Sequence, residues 1–223
     1  MKHQDVISKT IEFVKAELQG AEGGHDWWHI YRVWKTSCAI AKEENVNLLV
    51  VALGALLHDI ADAKFHRGDE TIGPIKARKF LESLSVDSDI IEHVINIIEN
   101  ISFRSSLSEN KGNDRSGFHS EELAVVRDAD RLDAIGAIGI ARTFNYGGFK
   151  NRAIYDPEIA PDLNMTKEGY KRSTAPTINH FYEKLLLLKD LMHTESGKRL
   201  AAQRHQVMKD FLTQFYKEWE GEV

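Results

Sequence analysis

Histidine and aspartate residues stand in apolar or helical surroundings at three places along the chain. These are His25 and His29 within GHDWWH, His58 and Asp59 after LLVVALGALL, and Asp130 within RDADRLD. An ionised carboxylate beside an apolar run is costly unless it is paired or bound to a metal. Two of these imidazoles and the two carboxylates form a nitrogen–oxygen set that suits manganese, iron, nickel, cobalt or zinc. The set lacks thiolates and leaves positions for water, which favours a catalytic over a structural metal site.

Each of these places, taken alone, has a simpler interpretation. His29 is explained by a hydrogen-bonded core histidine, and Asp59 by a solvated carboxylate at the end of a helix. The three aspartates of the last stretch can form a solvated acidic face paired with Arg127 and Arg131. The three places together favour a metal site. A metal bound there would lower the pKa of water and polarise a phosphoryl oxygen.

The three stretches in this order resemble the HD-domain metal-dependent phosphohydrolase superfamily. The strings HDWWHIYRVW, LLHDIADAKF and RDADRLDAIGAIGIARTF are similar to a bacterial branch of small HD proteins that includes nucleoside triphosphate pyrophosphohydrolases. The resemblance covers residues 25–148. It implies one HD-type helical domain over residues 1–223. The reaction it implies is hydrolysis of a nucleoside or deoxynucleoside triphosphate by metal-activated water, with release of pyrophosphate.

The resemblance also implies which residues bind the metal. Carried over by position, the ligands are His29, His58, Asp59 and Asp130, holding one divalent transition metal. Mn²⁺ is the expected ion, with Ni²⁺, Co²⁺, Fe²⁺, Zn²⁺ or Mg²⁺ as alternatives. Relatives with two metals commonly have a further histidine near the position of Asn100, where this chain has asparagine. This difference indicates a single metal and argues against a di-iron oxygenase.

Two residues are candidates for catalysis. His25 lies four residues before His29, and we place it in the pocket rather than on the metal. Asp62 follows His58 by about one helical turn. It is a candidate to position or deprotonate the attacking water, and a supporting or capping carboxylate is the alternative.

Three basic residues are candidates for substrate binding. Lys64 could contact a phosphate or be a plain surface lysine. Arg142 could bind phosphate or pair with a carboxylate such as Asp133. Lys150 belongs to the stretch of residues 145–176. This stretch has Tyr-Gly-Gly at residues 146–148 and holds three of the four prolines. We expect this stretch to be a long loop excursion that is either a mobile cover carrying positive charge or a solvated connector.

The elements that must position these residues are predicted to be helices, since apolar residues recur with a 3.6-residue period. Asp26 is the expected N-cap of the helix that carries His29. The predicted helices cover residues 7–18, 27–45, 48–57, 74–84, 87–101, 120–144, 177–192 and 196–219. The fold class is therefore all-α, with one long excursion before two C-terminal helices.

Composition sets the broad class of protein. The 223 residues suit one domain, and a single cysteine, Cys38, excludes a disulfide or a cysteine-based zinc cluster within the chain. The net charge of −5 argues against a nucleic-acid polymer as partner, so a small-molecule nucleotide is expected. The start MKHQDVISKT has no apolar signal region, and no apolar run approaches the roughly 18 residues of a membrane span. We expect a cytoplasmic monomer or homodimer with no membrane partner.

A nucleotide-binding regulator with the same fold and weak turnover is the main alternative function. The presence of all four expected metal ligands counts against it. Product analysis with a panel of nucleotides would separate it from the hydrolase.

Overall fold

The computed structural model describes residues 2–20, 26–60, 69, 71–101, 117–164 and 173–222. Every regular element in this part of the chain is a helix, which confirms the all-α prediction. The helices are α1 (His3–Glu17), α2 (Trp27–Ile40), α3 (Leu48–Leu57), α4 (Ile72–Ser83), α5 (Ser88–Asn100), α6 (Glu121–Asp133), α7 (Gly136–Phe149), α8 (Asn179–Glu183), a 3-10 helix (Leu185–Leu191) and α9 (Glu195–Trp219). None of these helices combines the length and apolar character needed to cross a membrane.

The chain divides into two compact units, Met1–Asp130 and Arg131–Val223. The first contains α1 to α5 and most of α6. The second contains α7, α8, the 3-10 helix and α9, with the last residues of α6 at its start. The expectation of one HD-type domain over the whole chain stays a prediction.

Helix α3 is the centre of the first unit. It consists only of leucine, valine, alanine and glycine, and all of its residues except Leu48 are buried. A helix that is apolar on every side must be surrounded, and α3 packs against α1, α2 and α5. Asn47 caps its start, because the side-chain oxygen accepts hydrogen bonds from the backbone N–H groups of Leu49 and Val50. The buried helix delivers His58 directly at its C-terminal end.

The second helix begins as the sequence predicts. The Oδ1 atom of Asp26 accepts a hydrogen bond of 3.0 Å from the backbone N–H of His29, so Asp26 is the N-cap of α2. The buried face of α2 carries Ile30, Val33 and Ile40 besides His29. The helix ends at Ile40 rather than near residue 45, and turns lead from it to α3.

The predicted helix over residues 120–144 is wrong, because the structure has two helices there. The break falls after α6, where Gly136 adopts a φ of +75° that residues with a side chain rarely adopt. Helix α7 then continues to Phe149, so the glycines that we expected to begin a loop lie inside a helix. Gly147 is buried there, and a Cβ atom on it would lie 2.3 Å from Oγ1 of Thr177.

The long excursion is confirmed for the described residues 150–164 and 173–178, which form turns and bends. Its two ends are joined, since the backbone N–H of Thr177 donates to the carbonyl of Ala153 and that of Ile178 to Ile154. The predicted helix over residues 177–192 is split into α8 and the 3-10 helix. Helix α9 packs against α7 and the 3-10 helix to form the second unit.

Candidate metal centre

Three of the expected ligands converge in the first unit. The Nε2 atom of His29 lies 3.5 Å from Oδ1 of Asp130, and the Nε2 atom of His58 lies 3.8 Å from the same oxygen. One ligand atom from each residue lies within 4.8 Å of the other two. The imidazole side chains are about 5% exposed and that of Asp130 is 39% exposed. The cluster therefore has two buried nitrogens and one solvent-accessible carboxylate.

A hydrogen bond to the backbone sets the tautomer of His58. Its Nδ1 atom lies 2.9 Å from the carbonyl oxygen of Ala55, one turn earlier in α3. A carbonyl oxygen can only accept, so we assign the proton to Nδ1. The lone pair is then on Nε2, the ring nitrogen that lies 3.8 Å from Oδ1 of Asp130 and is available to a metal.

The other two ligands are fixed by their helices. His29 lies in the first turn of α2, where the cap by Asp26 holds its backbone. Its ring meets that of His58 edge to face, with ring centroids 5.4 Å apart and an angle of 69° between the planes. Asp130 is supplied by α6, three residues before that helix ends. Three separate helices thus contribute one ligand each.

The spacing and chemistry of this donor set fit a divalent metal. Bonds of about 2.0–2.2 Å place neighbouring ligand atoms roughly 3–3.5 Å apart. The observed separations of 3.5 and 3.8 Å are close to this range. They are also longer than a normal hydrogen bond. Two imidazoles and a carboxylate leave coordination positions open for water or substrate.

Asp59, the fourth expected ligand, follows His58 directly and is half-buried. The described group of mutually close ligand atoms comprises only His29, His58 and Asp130. The role of Asp59 as a ligand therefore stays a prediction. His25, Asp62 and Lys64 lie outside the described residues, and their roles also stay predictions.

Most of the charged residues that we weighed as a solvated face of α6 are buried. Asp128 is fully buried, Asp133 is 3% exposed and Arg127 is 4% exposed. Arg127 donates hydrogen bonds from Nε and Nη2 to the backbone carbonyl of Asn100, at 3.2 and 2.6 Å. Sequence reasoning missed this contact. Its signal is the charge of Arg127 directly after the apolar run LAVV.

The two described candidates for substrate binding belong to the second unit. Arg142 donates to the Oδ2 atom and to the backbone carbonyl of Asp133, which confirms the pairing that we weighed against a phosphate role. Lys150 is exposed at the end of α7, with its Nζ atom 5.0 Å from the ring centroid of Phe149. Phosphate binding by either residue stays a prediction.

An all-α fold whose helices bring two imidazoles and a carboxylate together is compatible with a metal-dependent enzyme, and known proteins match the chain. Residues 27–135 match the HD domain family. YpgQ of Bacillus subtilis is 34% identical over 227 aligned residues, covering 99% of this chain and 97% of YpgQ.

Solved structures match over the full length. An HD-superfamily hydrolase from Bacillus thuringiensis superposes with a TM-score of 0.77 at 43% identity, covering 98% of this chain and 99% of the other. The structure of B. subtilis YpgQ in complex with ADP superposes with a TM-score of 0.72 at 31% identity, covering 98% and 97%. The chain therefore belongs to the HD-domain family and has the fold of its small bacterial hydrolases.

Proposed function

We propose that the protein is a divalent-metal-dependent phosphohydrolase that cleaves a nucleoside or deoxynucleoside triphosphate and releases pyrophosphate. The observation that carries the proposal is the convergence of His29, His58 and Asp130 within 4.8 Å in an HD-superfamily hydrolase fold. The three side chains hold the metal, and Asp59 completes the set. Mn²⁺ suits these mixed nitrogen and oxygen donors.

A bound divalent metal supplies Lewis acidity and lowers the pKa of water toward neutrality. The chain's own residues prepare the site for it. The hydrogen bond from Nδ1 of His58 to the carbonyl of Ala55 orients the ring and, in the neutral imidazole, places the lone pair on Nε2. The accessible carboxylate of Asp130 leaves one side of the cluster open to substrate. Asp62 orients or deprotonates the attacking water, and His25 lies in the pocket beside the substrate.

A nucleotide is the proposed substrate because a relative binds one. B. subtilis YpgQ, at 31% identity over 98% of this chain, has been crystallised in complex with ADP. A nucleoside triphosphate brings several negative charges to a chain whose net charge is −5. Local cations are therefore needed, and we assign Lys64, Lys150 and Arg142 to this role. Arg142 would divide its donors between Asp133 and phosphate.

The excursion over residues 145–176 is proposed to cover the bound nucleotide. In the structure its base is closed by the hydrogen bonds that join Ala153 to Thr177 and Ile154 to Ile178. The guanidinium of Arg152 adds a hydrogen bond to the carbonyl of Ser173. Gly147 and Gly148 lie inside α7, before this closed base. The protein acts as a cytoplasmic monomer or homodimer in this proposal.

Product analysis with a panel of nucleotides tests the proposal. The Mn²⁺-loaded protein is incubated with the common nucleoside and deoxynucleoside triphosphates, and the products are separated by anion-exchange chromatography. We expect nucleoside monophosphate and pyrophosphate in equal amounts. Nucleoside diphosphate with inorganic phosphate would contradict the proposed bond. Binding of a nucleotide without any product would favour the regulator.

A further inference from the structure

The helices that carry His58 and Asp130 meet one turn before these ligands. Gly54 precedes His58 by four residues in α3, and Val126 precedes Asp130 by four residues in α6. Residues four apart lie on the same face of a helix, one turn from each other. The C-cap residue His58 keeps helical backbone angles, so this relation holds for it as well. The packing at Gly54 and Val126 therefore lies directly beneath the pair of ligands.

Gly54 allows the three helices to approach closely at this level. A Cβ atom on Gly54 would lie 3.2 Å from both Cδ1 and Cγ2 of Ile97 in α5, and 3.6 Å from Cγ2 of Val126. Ile97 and Val126 are both fully buried. Glycine in the middle of a helix costs about 1 kcal/mol relative to alanine. Close packing gives a physical reason for the residue, since an added methyl group would force Ile97 to move by a few tenths of an ångström.

Arg127 fixes α6 against α5 at the same level. Arg127 is 4% exposed, and its guanidinium donates twice to the carbonyl of Asn100, the last residue of α5. A buried cation needs hydrogen-bond partners, and the C-terminal carbonyls of a helix carry partial negative charge. The two bonds restrict both the rotation and the sliding of α6 along α5. Arg127 precedes Asp130 by three residues, so the two residues are neighbours on the surface of α6.

We infer that Gly54 and Arg127 are positioning residues that set the separation between His58 and Asp130. Neither side chain is a ligand. Gly54 determines how closely α3 approaches α5 and α6, and Arg127 determines where α6 rests on α5. Ligand distances in a metal site are expected to lie within about 0.2 Å of their ideal values. A shift of a few tenths of an ångström between the two helices is therefore enough to weaken binding. The inference rests on the proposed metal site.

Mn²⁺ affinity of the purified protein tests this assignment. Free Mn²⁺ is titrated by electron paramagnetic resonance, and folding of the metal-free variants is followed by circular dichroism. We expect Gly54→Ala and Arg127→Lys to raise the Mn²⁺ dissociation constant by roughly 10–100-fold while both remain folded. Lysine keeps the charge of Arg127 but lacks the planar fork that donates twice. Adding Ile97→Val to Gly54→Ala removes the Cδ1 contact, so the double variant should regain part of the lost affinity.

Two matched controls separate positioning from general effects of substitution. Gly148→Ala introduces the same methyl group in α7, where the described residues place no atom outside the local helix backbone within 4 Å of it. Arg78→Lys alters a surface ion pair with Glu92. Both should bind Mn²⁺ as the wild type does. If Gly54→Ala or Arg127→Lys changes the Mn²⁺ affinity by less than about threefold, the assignment of that residue is overturned. A supporting residue is expected to have a far larger effect. If Gly54→Ala fails to fold, Arg127→Lys and the double variant decide. A wild type that binds no Mn²⁺ would instead contradict the proposed metal site.

Discussion

His58 shows how a single backbone contact prepares a side chain for metal binding. Its Nδ1 proton is committed to the carbonyl of Ala55, which leaves only Nε2 for the metal. The resemblance to HD-domain proteins implied His29, His58, Asp59 and Asp130 as ligands, and the structure brings His29, His58 and Asp130 together. The contacts to Ala55 and Asn100 could not be predicted, because they depend on how helices end and pack. Spacing along the chain does not encode that geometry.

His180 provides a test at the residue scale that is independent of the metal. Burial of its ring, followed by the charges of Lys184 and Arg152, lowers the pKa of His180 from 6.5 to about 4. As the pH falls below 6.5, the unfolded chain takes up this proton first. The contribution of neutral His180 to the free energy of unfolding is therefore fully present above pH 6.5 and is lost as the pH falls toward 4.

The expected loss of unfolding free energy from His180 is on the order of 3 kcal/mol across this range. The measurement is urea unfolding at several pH values, for the wild type and for His180→Gln. The glutamine variant should show a smaller decrease of stability between pH 6.5 and 4, while the exposed-site variant His3→Ala should keep the wild-type decrease. If the unfolding free energies of the wild type and of His180→Gln decrease equally between pH 6.5 and 4, the proton is taken up elsewhere.

At the scale of the elements, the junction between α6 and α7 is where prediction from sequence failed. The alanines and the other apolar side chains between positions 120 and 144 favour a continuous helix. The structure instead turns the chain at Gly136, and the Nη1 atom of Arg204 donates to the carbonyl of Leu132 near the end of α6. A single glycine is compatible with either outcome. The deciding contact comes from a residue about 70 positions further along the chain, so local propensity does not reveal it.

Gly136→Ala should destabilise the second unit. The substitution forces a side chain into the left-handed region and places its Cβ atom 2.9 Å from Cβ and Cγ of Arg204. We expect the unfolding free energy to fall by about 1–3 kcal/mol, measured by urea unfolding. Gly148→Ala is the control, because it lies in open space within α7 and should leave stability equal or up to about 1 kcal/mol higher. Equal stability of the two variants would contradict a role for the turn at Gly136.

At the scale of the whole molecule, the sequence predicted the fold class well because one feature dominates it. The apolar helix α3 has no polar face, so the surrounding helices of the first unit must enclose it. Periodicity then predicted α4 and α5 close to their observed bounds and the start, but not the end, of α2. The division into two units was not predicted, since the length and composition of 223 residues are compatible with one domain.

The central claim is that His29, His58 and Asp130 hold the metal that enables triphosphate hydrolysis. The most direct measurement is the initial rate of pyrophosphate release from a preferred triphosphate, with and without Mn²⁺. It compares the wild type with His58→Ala and with His3→Ala, a matched change at an exposed histidine in α1. We predict Mn²⁺-dependent release by the wild type and by His3→Ala. Loss of a residue that only supports a metal ligand lowers activity by roughly 10–100-fold. We predict a larger decrease of the rate for His58→Ala. Equal rates for the wild type and His58→Ala, with or without Mn²⁺, would contradict the account.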